Sequence, residues 1–352
     1  MPRRREILAG AAALGVLAGC ASPGVALGVS TPLRRIGFAS CADQTRPQPI
    51  WDTVIADRPD LFVFGGDNVY CEMPYSLAKL RRAYALAAAC EPLARLRHAI
   101  PHLAIWDDHD FGANDGGADF PFKAESKAEF LEYWKIPLQD PRRGREGLYH
   151  AQVYGPVGQQ VQVILLDVRW FRSRWKPTDQ RGAPGKERYL PDADPAKTML
   201  GEPQWRWLEA QLREPAQVRV IVSGIQVVTE GHGWERWGNF PAERTRLYQL
   251  IARTNAQGVV FVSGDRHIGG LYLETAAGPY SFYELTSSGV THPWRGAVEA
   301  GPNRLGELFT DFHFGTVEID WQAQTVQLAV KDIQGAPRRQ QLIPFNELKA
   351  RT

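Results

Sequence analysis

Three apolar, strand-like runs in this chain stop abruptly in clusters of metal-ligating and acid/base side chains, and this pattern restricts the fold more than any other feature. Leu61-Phe62-Val63-Phe64 runs into Gly65-Gly66-Asp67-Asn68-Val69-Tyr70. Leu103-Ala104-Ile105-Trp106 runs into Asp107-Asp108-His109-Asp110, and Val259-Val260-Phe261-Val262 into Ser263-Gly264-Asp265-Arg266-His267. A fourth run, Ile36-Gly37-Phe38-Ala39-Ser40, ends at Cys41. In an open α/β sheet the carboxyl ends of the strands lie along one edge, where ligands bind. Four segments far apart in sequence can then converge on one metal site, as an enzyme requires.

Elsewhere the chain alternates short apolar runs with helical stretches. Helices are expected over 77–97, 124–134, 202–212 and 242–255, and strands over 161–166 and 219–222. From Leu271 onward period-two alternation dominates, in Leu271-Tyr272-Leu273, Phe282-Tyr283-Glu284-Leu285, Gly315 to Ile319 and Val326 to Val330. A βα start with a β-rich finish implies mixed sheets rather than one parallel sheet. The segment from Arg172 to Leu200, rich in charge, Gly and Pro, is too long for a simple connector and reads as a candidate lid.

The hydrophobic share of 44% over 352 residues suits a sizeable core in one large domain or two small ones. Arg3, Arg4, Arg5 and Glu6 account for the whole formal charge of +2, so the rest is close to neutral and has no basic stripe for DNA or RNA.

The N-terminus reads as an address. Arg3-Arg4-Arg5 precedes an apolar run, Ile7 to Leu17, too short to span a bilayer as a permanent helix. Arg4-Arg5-Glu6-Ile7-Leu8 resembles a twin-arginine export signal, and Leu17-Ala18-Gly19-Cys20 resembles a lipobox in which Cys20 is lipidated and becomes the new N-terminus. A plain secretory segment with an incidental cysteine is the simpler alternative. The lipoprotein reading implies an exported protein facing the periplasm or cell exterior and touching the membrane through its lipid alone. Cys71 and Cys90 then lie in a compartment that permits disulfides, and a Cys71–Cys90 bridge is expected.

The clusters carry their own chemistry. Aspartate supplies hard oxygen, His supplies nitrogen, and Cys or Tyr supply anionic ligands suited to a more Lewis-acidic ion such as Fe(III). Asp67, directly after a strand, is the best candidate to bridge two metals, with Tyr70 able to reach back to the same ion. Asp108 and Asp265 would add oxygen ligands and His267 a nitrogen. Three carboxylates around one imidazole in Asp107-Asp108-His109-Asp110 repel unless cations or solvent intervene.

Magnitudes select a reaction class for such a site. Phosphate monoester hydrolysis needs up to ~10²¹-fold acceleration, whereas general acid–base help contributes about 10²–10⁴. A metal that lowers the pKa of bound water from about 15.7 toward 7 supplies hydroxide at working pH.

Taken together, Cys41, Gly66-Asp67-Asn68-Val69-Tyr70, Trp106-Asp107-Asp108-His109-Asp110 with Asn114, and Ser263-Gly264-Asp265-Arg266-His267 resemble the PhoD-like alkaline phosphatases, within the calcineurin-like metallophosphoesterases. Leu166-Asp167-Val168-Arg169, Leu200-Gly201-Glu202-Pro203-Gln204-Trp205, Trp237-Gly238-Asn239-Phe240-Pro241 and Thr286-Ser287-Ser288-Gly289-Val290-Thr291-His292 extend the likeness. The Asp67-x-x-Tyr70 spacing is also similar to that of purple acid phosphatases.

The resemblance implies a four-layer αββα sandwich of two mixed sheets. The N-terminal reading gives a signal peptide at 1–19 and a tether at 20–34; the resemblance, which runs from about Arg35 to about Asp320, implies a metallophosphoesterase domain at 35–335 without the separate N-terminal β-domain of many members, and a C-terminal tail is expected at 336–352. The implied cofactors are one Fe(III) with one or two Ca²⁺. Cys41, Asp67, Tyr70 and His267 would serve iron, with Asp67 bridging; Asp108, Asn114 and Asp265 would serve calcium. His109 would touch the phosphate or protonate the leaving oxygen. Arg169 would clamp phosphate oxygens or form a structural pair with Asp167, and Asn114 could instead be a turn residue. Asp107, Gln226 and His292 are further candidates, with Gln226 standing where the wider superfamily has a His and His232 or His292 able to substitute.

Implied substrates are small phosphorylated molecules, monoesters and also diesters. A phospholipase D-type diesterase on the same site, or a surface lipoprotein that binds phosphorylated ligands without turnover, are the alternatives.

Overall fold

The computed structural model describes residues 31–71 and 73–350. The expected export signal, Cys20 and the tether up to residue 30 lie outside the described residues.

Six strands form one sheet: β1 (Arg35–Ala39), β2 (Leu61–Gly65), β3 (His102–Ile105), β13 (His313–Asp320), β14 (Thr325–Asp332) and β15 (Pro337–Pro344), in the order β15-β14-β13-β1-β2-β3. The second sheet holds β4 (His150–Tyr154), β5 (Val161–Leu166), β8 (Val218–Ser223), β9 (Val259–Ser263), β10 (Gly269–Glu274), β11 (Phe282–Ser287) and β12 (Arg304–Phe309), in the order β12-β10-β11-β9-β8-β5-β4. A two-residue hairpin, β6 (Lys176–Pro177) with β7 (Tyr189–Leu190), stands apart. Strands β1, β2 and β3 run parallel, as do β5, β8, β9 and β11, while the outer strands are antiparallel. The parallel strands are apolar on both faces because both faces are covered: β2, β5, β8 and β9 are buried at every position.

Period-two alternation divides the second sheet between two cores. Val161, Val163, Leu165, Val220, Val222, Val260 and Val262 share a cluster with the first sheet. Ile164, Leu166, Ile221 and Phe261 share another with Trp205 and Leu208 of α7 (Gly201–Leu212) and Leu247 and Ile251 of α8 (Pro241–Arg253). Helices α1 (Ile50–Asp57), α2 (Leu77–Ala89), α3 (Glu91–Ala99) and α5 (Lys123–Tyr133) bury Trp51, Leu80, Leu96 and Phe130 with the first sheet. Two short helices, α4 (Asp108–Phe111) and α6 (Pro141–Gly144), sit in connections. The result is a four-layer αββα sandwich.

Three expectations are corrected. The helix read as continuous over 77–97 breaks at Cys90, where Pro92 in the first turn of α3 has no N–H to continue the ladder. The described part of the expected tail, up to residue 350, is not a tail: β15 pairs with β14 from Thr325↔Pro344 to Lys331↔Pro337, and a 3₁₀ turn, Phe345–Leu348, follows. Cys71 and Cys90 are not bridged. The Cys90 thiol, at the helix break, turns to Gln48 Oε1 at 3.6 Å, while the Cys71 backbone N–H donates to the His109 carbonyl at 3.4 Å.

Candidate metal centre

Strands β1, β2, β3, β5, β8 and β9 all end along one edge of the sandwich, and the chain turns sharply there. Cys41, Asp67, Asp265 and His267 all adopt the left-handed region, at φ of 65°, 52°, 66° and 56°. Four non-glycine residues in that region cost free energy that the surrounding structure must offset, and such positions cluster at functional sites. Gly66, at φ 104°, is required because a Cβ there would stand 2.5 Å from Asp107 Cβ. The turns are tied across strands, with Ala42 N donating to Asp67 O at 2.8 Å and Gly264 N to Gly224 O at 2.9 Å.

Asp110 locks two of these turns together. Its Oδ1 accepts from Asp107 N at 2.6 Å and Asp67 N at 3.2 Å, and its Oδ2 accepts from Asn68 Nδ2 at 2.6 Å. The last residue of the Asp-Asp-His-Asp cluster is therefore scaffold. Asp110→Ala, which removes all of these acceptors, is expected to destabilise the fold by about 2–4 kcal/mol, read as a lower midpoint in chemical denaturation of metal-free protein.

The ligand-type side chains meet around Asp67. Cys41 Sγ lies 3.5 Å from Asp67 Oδ2, and the Tyr70 hydroxyl lies 3.3 Å from both Asp67 Oδ2 and His267 Nε2. Ligand atoms of Cys41, Asp67 and His267 fall within 4.8 Å of one another, as do those of Asp67, Asp108 and His109, and those of Asp107, Asp108 and Asp265. Asp67 and Asp108 each belong to two of these groups and so stand between neighbouring sets of donor atoms. A cleft of about 220 Å³ opens over them, lined also by Asn114, Arg188, Trp234, Arg266 and Trp294.

Electrostatics states why cations belong here. Burial, and then the charge of neighbouring carboxylates, pushes Asp67 and Asp265 well above the usual carboxylate range. Burial lifts Asp107 to about 8 against the pull of Arg169. Asp108 is the exception: burial opposes its ionisation, but His109, Arg169 and the N–H of Asp115 hold it below the usual range. Burial, reinforced by His292, brings His267 down to about 2, leaving a neutral imidazole of the kind a metal needs. Asp107 Oδ2 and Asp108 Oδ1 are buried with no hydrogen-bond partner. Buried carboxylate oxygens are expensive unless hydrogen-bonded, paired or coordinating a cation, so the donor set fits metal ions.

The other expected residues divide. His109 packs against Tyr70 with ring centroids 4.0 Å apart and planes tilted by 32°, and lines the cleft, and exposed Asn114 lies on its wall. His292 packs its ring 4.0 Å from that of His267 and 4.9 Å from that of Tyr70. Gln226 is turned away from the cleft: its Nε2 donates to Thr286 Oγ1 at 2.9 Å and its Oε1 lies 3.0 Å from His232 Nε2. Arg169 does not line the cleft. It is fully buried, with Nε on Asp107 Oδ1 at 2.6 Å and Nη1 and Nη2 on the two oxygens of Glu235 at 2.8 and 2.9 Å. Nor does its guanidinium pair with Asp167, whose Oδ1 instead accepts from the Arg169 backbone N–H at 2.9 Å. Asp107 thus gives one oxygen to Arg169 and keeps one for the cluster.

Sequence reasoning missed Asp115, Arg188, Trp234 and Glu235. Trp234 and Glu235 follow Gly233 and are separated from the Trp237-Gly238-Asn239-Phe240-Pro241 motif by Arg236 alone. The 172–200 segment is a wall fastened in place, with Arg188 N and Tyr189 N donating to Gly233 O at 3.0 and 2.7 Å.

Two stacked mixed sheets whose parallel strands deliver carboxylates, a thiol and an imidazole to one edge define the metallophosphoesterase class of fold and site. Within that class the chain belongs to the PhoD-like phosphatases, whose family profile matches residues 36–328. It is similar to alkaline phosphatase D of Bacillus subtilis (strain 168), 26% identical over 190 residues, 48% of this chain and 31% of that relative. The match thus takes in under a third of the relative's length. Among solved structures it is similar to that of PhoD, with a TM-score of 0.72 and 18% identity, covering 93% of this chain and 72% of the other. It also resembles the purple acid phosphatase PPD1 from yellow lupin seeds, with a TM-score of 0.61 and 11% identity over 91% of this chain and 55% of the other. At these identities the two structures speak for the fold. Among the described residues no helix is long and apolar enough to cross a membrane.

Proposed function

We propose that this protein is an exported, lipid-anchored phosphoric ester hydrolase whose centre holds Fe(III) and Ca²⁺ and acts on phosphomonoesters. The observation that carries this reading is the pair of orphaned, buried carboxylate oxygens of Asp107 and Asp108 beside Asp67 and Asp265. Cys41, Asp67, Tyr70 and His267 form a sulfur, oxygen and nitrogen set suited to iron, and Asp108, Asn114 and Asp265 an oxygen set suited to calcium, with Asp67 between them. When bound, the ions supply Lewis-acid polarisation of the phosphoryl oxygens and acidify water. The chain's own residues do the rest. Asp67 holds the two halves in register, and His109, steadied by the Tyr70 ring and by its own N–H on Asp67 Oδ1 at 3.1 Å, delivers a proton to the leaving oxygen. Trp234 and Trp294 line the cleft with bulky rings, a wall that suits one ester substituent better than two. The anchor reading rests on Arg4-Arg5 and on Leu17-Ala18-Gly19-Cys20.

Purified protein should hydrolyse p-nitrophenyl phosphate, lose turnover in a chelator and regain it with added Ca²⁺, with iron retained by elemental analysis. Metal-bound protein that hydrolyses neither p-nitrophenyl phosphate nor bis-p-nitrophenyl phosphate would return the reading to a non-catalytic binding protein.

A further inference from the structure

We propose that Arg188, carried to the cleft by the 172–200 segment, is the residue that grips the phosphoryl oxygens and makes the site favour phosphomonoesters over phosphodiesters. The inference rests on the hydrolase reading and names the anion contact within it. Arg169, the expected clamp, is sealed between Asp107 and Glu235. Among the described residues lining the cleft two carry a permanent cation, Arg188 and Arg266. Arg266 is 6% exposed, is paired with Glu299, and lies against the Trp234 and Trp294 rings.

Arg188 differs in its exposure, although it too has a carboxylate partner and lies against the Trp234 ring. Its side chain is 31% exposed, its guanidinium carbon lies 4.9 Å from the Trp234 ring centroid, and Nη1 donates to Asp115 Oδ2 at 2.6 Å. It shares the cleft with Asp67, Asp108, His109 and Asp265. The side chain is also well positioned. β6 pairs with β7 through Pro177↔Tyr189, the backbone of 188–189 is bonded to Gly233, and Tyr189 Oη donates to the same Asp115 oxygen at 2.6 Å. A planar guanidinium of this kind suits two oxygens of one phosphoryl group.

Charge sets the direction of selectivity. A monoester carries up to two negative charges at neutral pH and a diester one, so removing the cation should penalise the monoester more.

The test compares Arg188→Ala, Arg188→Lys and the charge-matched control Arg174→Ala, which alters an exposed arginine of the same segment paired with Asp119. Inorganic phosphate binding by calorimetry and kinetics on p-nitrophenyl phosphate and bis-p-nitrophenyl phosphate are measured on metal-loaded protein, with elemental analysis and a thermal melt on each variant. Arg188→Ala should weaken phosphate binding and raise the monoester KM by about tenfold or more, while changing the diester KM by less than about threefold. Arg188→Lys should recover part of the loss, and Arg174→Ala should match the parent. Unchanged phosphate affinity in Arg188→Ala, or equal losses on the two esters, would overturn the proposal while leaving the hydrolase reading intact. A parent protein that binds metal but neither binds phosphate nor turns over either ester would instead overturn the hydrolase reading, and this proposal with it.

Discussion

Replacing Asp67 by Asn is expected to lower kcat/KM on a phosphomonoester by at least about 100-fold and to strip metal from both halves of the centre. Loss of a group that merely orients a ligand costs about 10–100-fold in metal affinity or activity, and Asp67 stands closer than that. Its Oδ2 meets Cys41 Sγ and the Tyr70 hydroxyl, while its Oδ1 accepts the His109 N–H. Asn keeps the shape and tolerates the left-handed backbone, so the fold should survive and the loss should report on charge and coordination. Cys41→Ser is the companion measurement, in which iron should fall while calcium remains. A Asp67→Asn protein with full metal content and full turnover would show that Asp67 does not join the two halves.

The second large effect lies out of reach of any substrate. Arg169→Met should destabilise the protein by about 3–5 kcal/mol, because it leaves the carboxylate of Asp107 buried without its counter-charge and that of Glu235 with Arg172 alone, 3.6 Å away. Chemical denaturation with chelator present would measure this free of metal binding. Arg169→Lys should recover only part of it, since one ammonium cannot reproduce a guanidinium that serves Asp107 through Nε and Glu235 through both terminal nitrogens. A Met variant as stable as its parent would mean that the two carboxylates are protonated or hydrated in solution.

Arg169 also marks where sequence reasoning runs out. Its position after β5 was legible, because Val161 to Leu166 is an unbroken apolar run and the chain must leave the sheet at its end. What its guanidinium would meet was not, since Glu235 arrives from the connection between β8 and α8, 66 residues away. Arg188 was hidden for the converse reason: it sits in a polar segment with no periodicity, and bonds to residues distant in sequence, Gly233 and Asp115, bring it over the cleft. Two of the unread strands share a cause. β12 and β15 are sheet edges, exposed and charged in Arg304-Leu305-Gly306-Glu307 and Pro337-Arg338-Arg339-Gln340. Charge and proline at an edge discourage pairing with other chains, and they erase the apolar signature of a strand.

By itself the sequence determined that β1, β2, β3 and β9 are buried strands and that Cys41, Asp67, Asp108 and Asp265 follow their ends. Runs apolar at every position have no solvent face to turn outward, and the first polar residues after them must lie at the sheet's edge. Only the tertiary structure decided which of those residues share an atom-scale neighbourhood. Pairing of β2 with β3 sets Asp67 beside Asp108, the second sheet brings His267 to them, and the packing of the loops turns Gln226 toward Thr286 and seals one arginine while leaving another partly exposed above the acidic cluster. Such outcomes depend on how loops distant in sequence pack against one another, which local residue patterns do not encode.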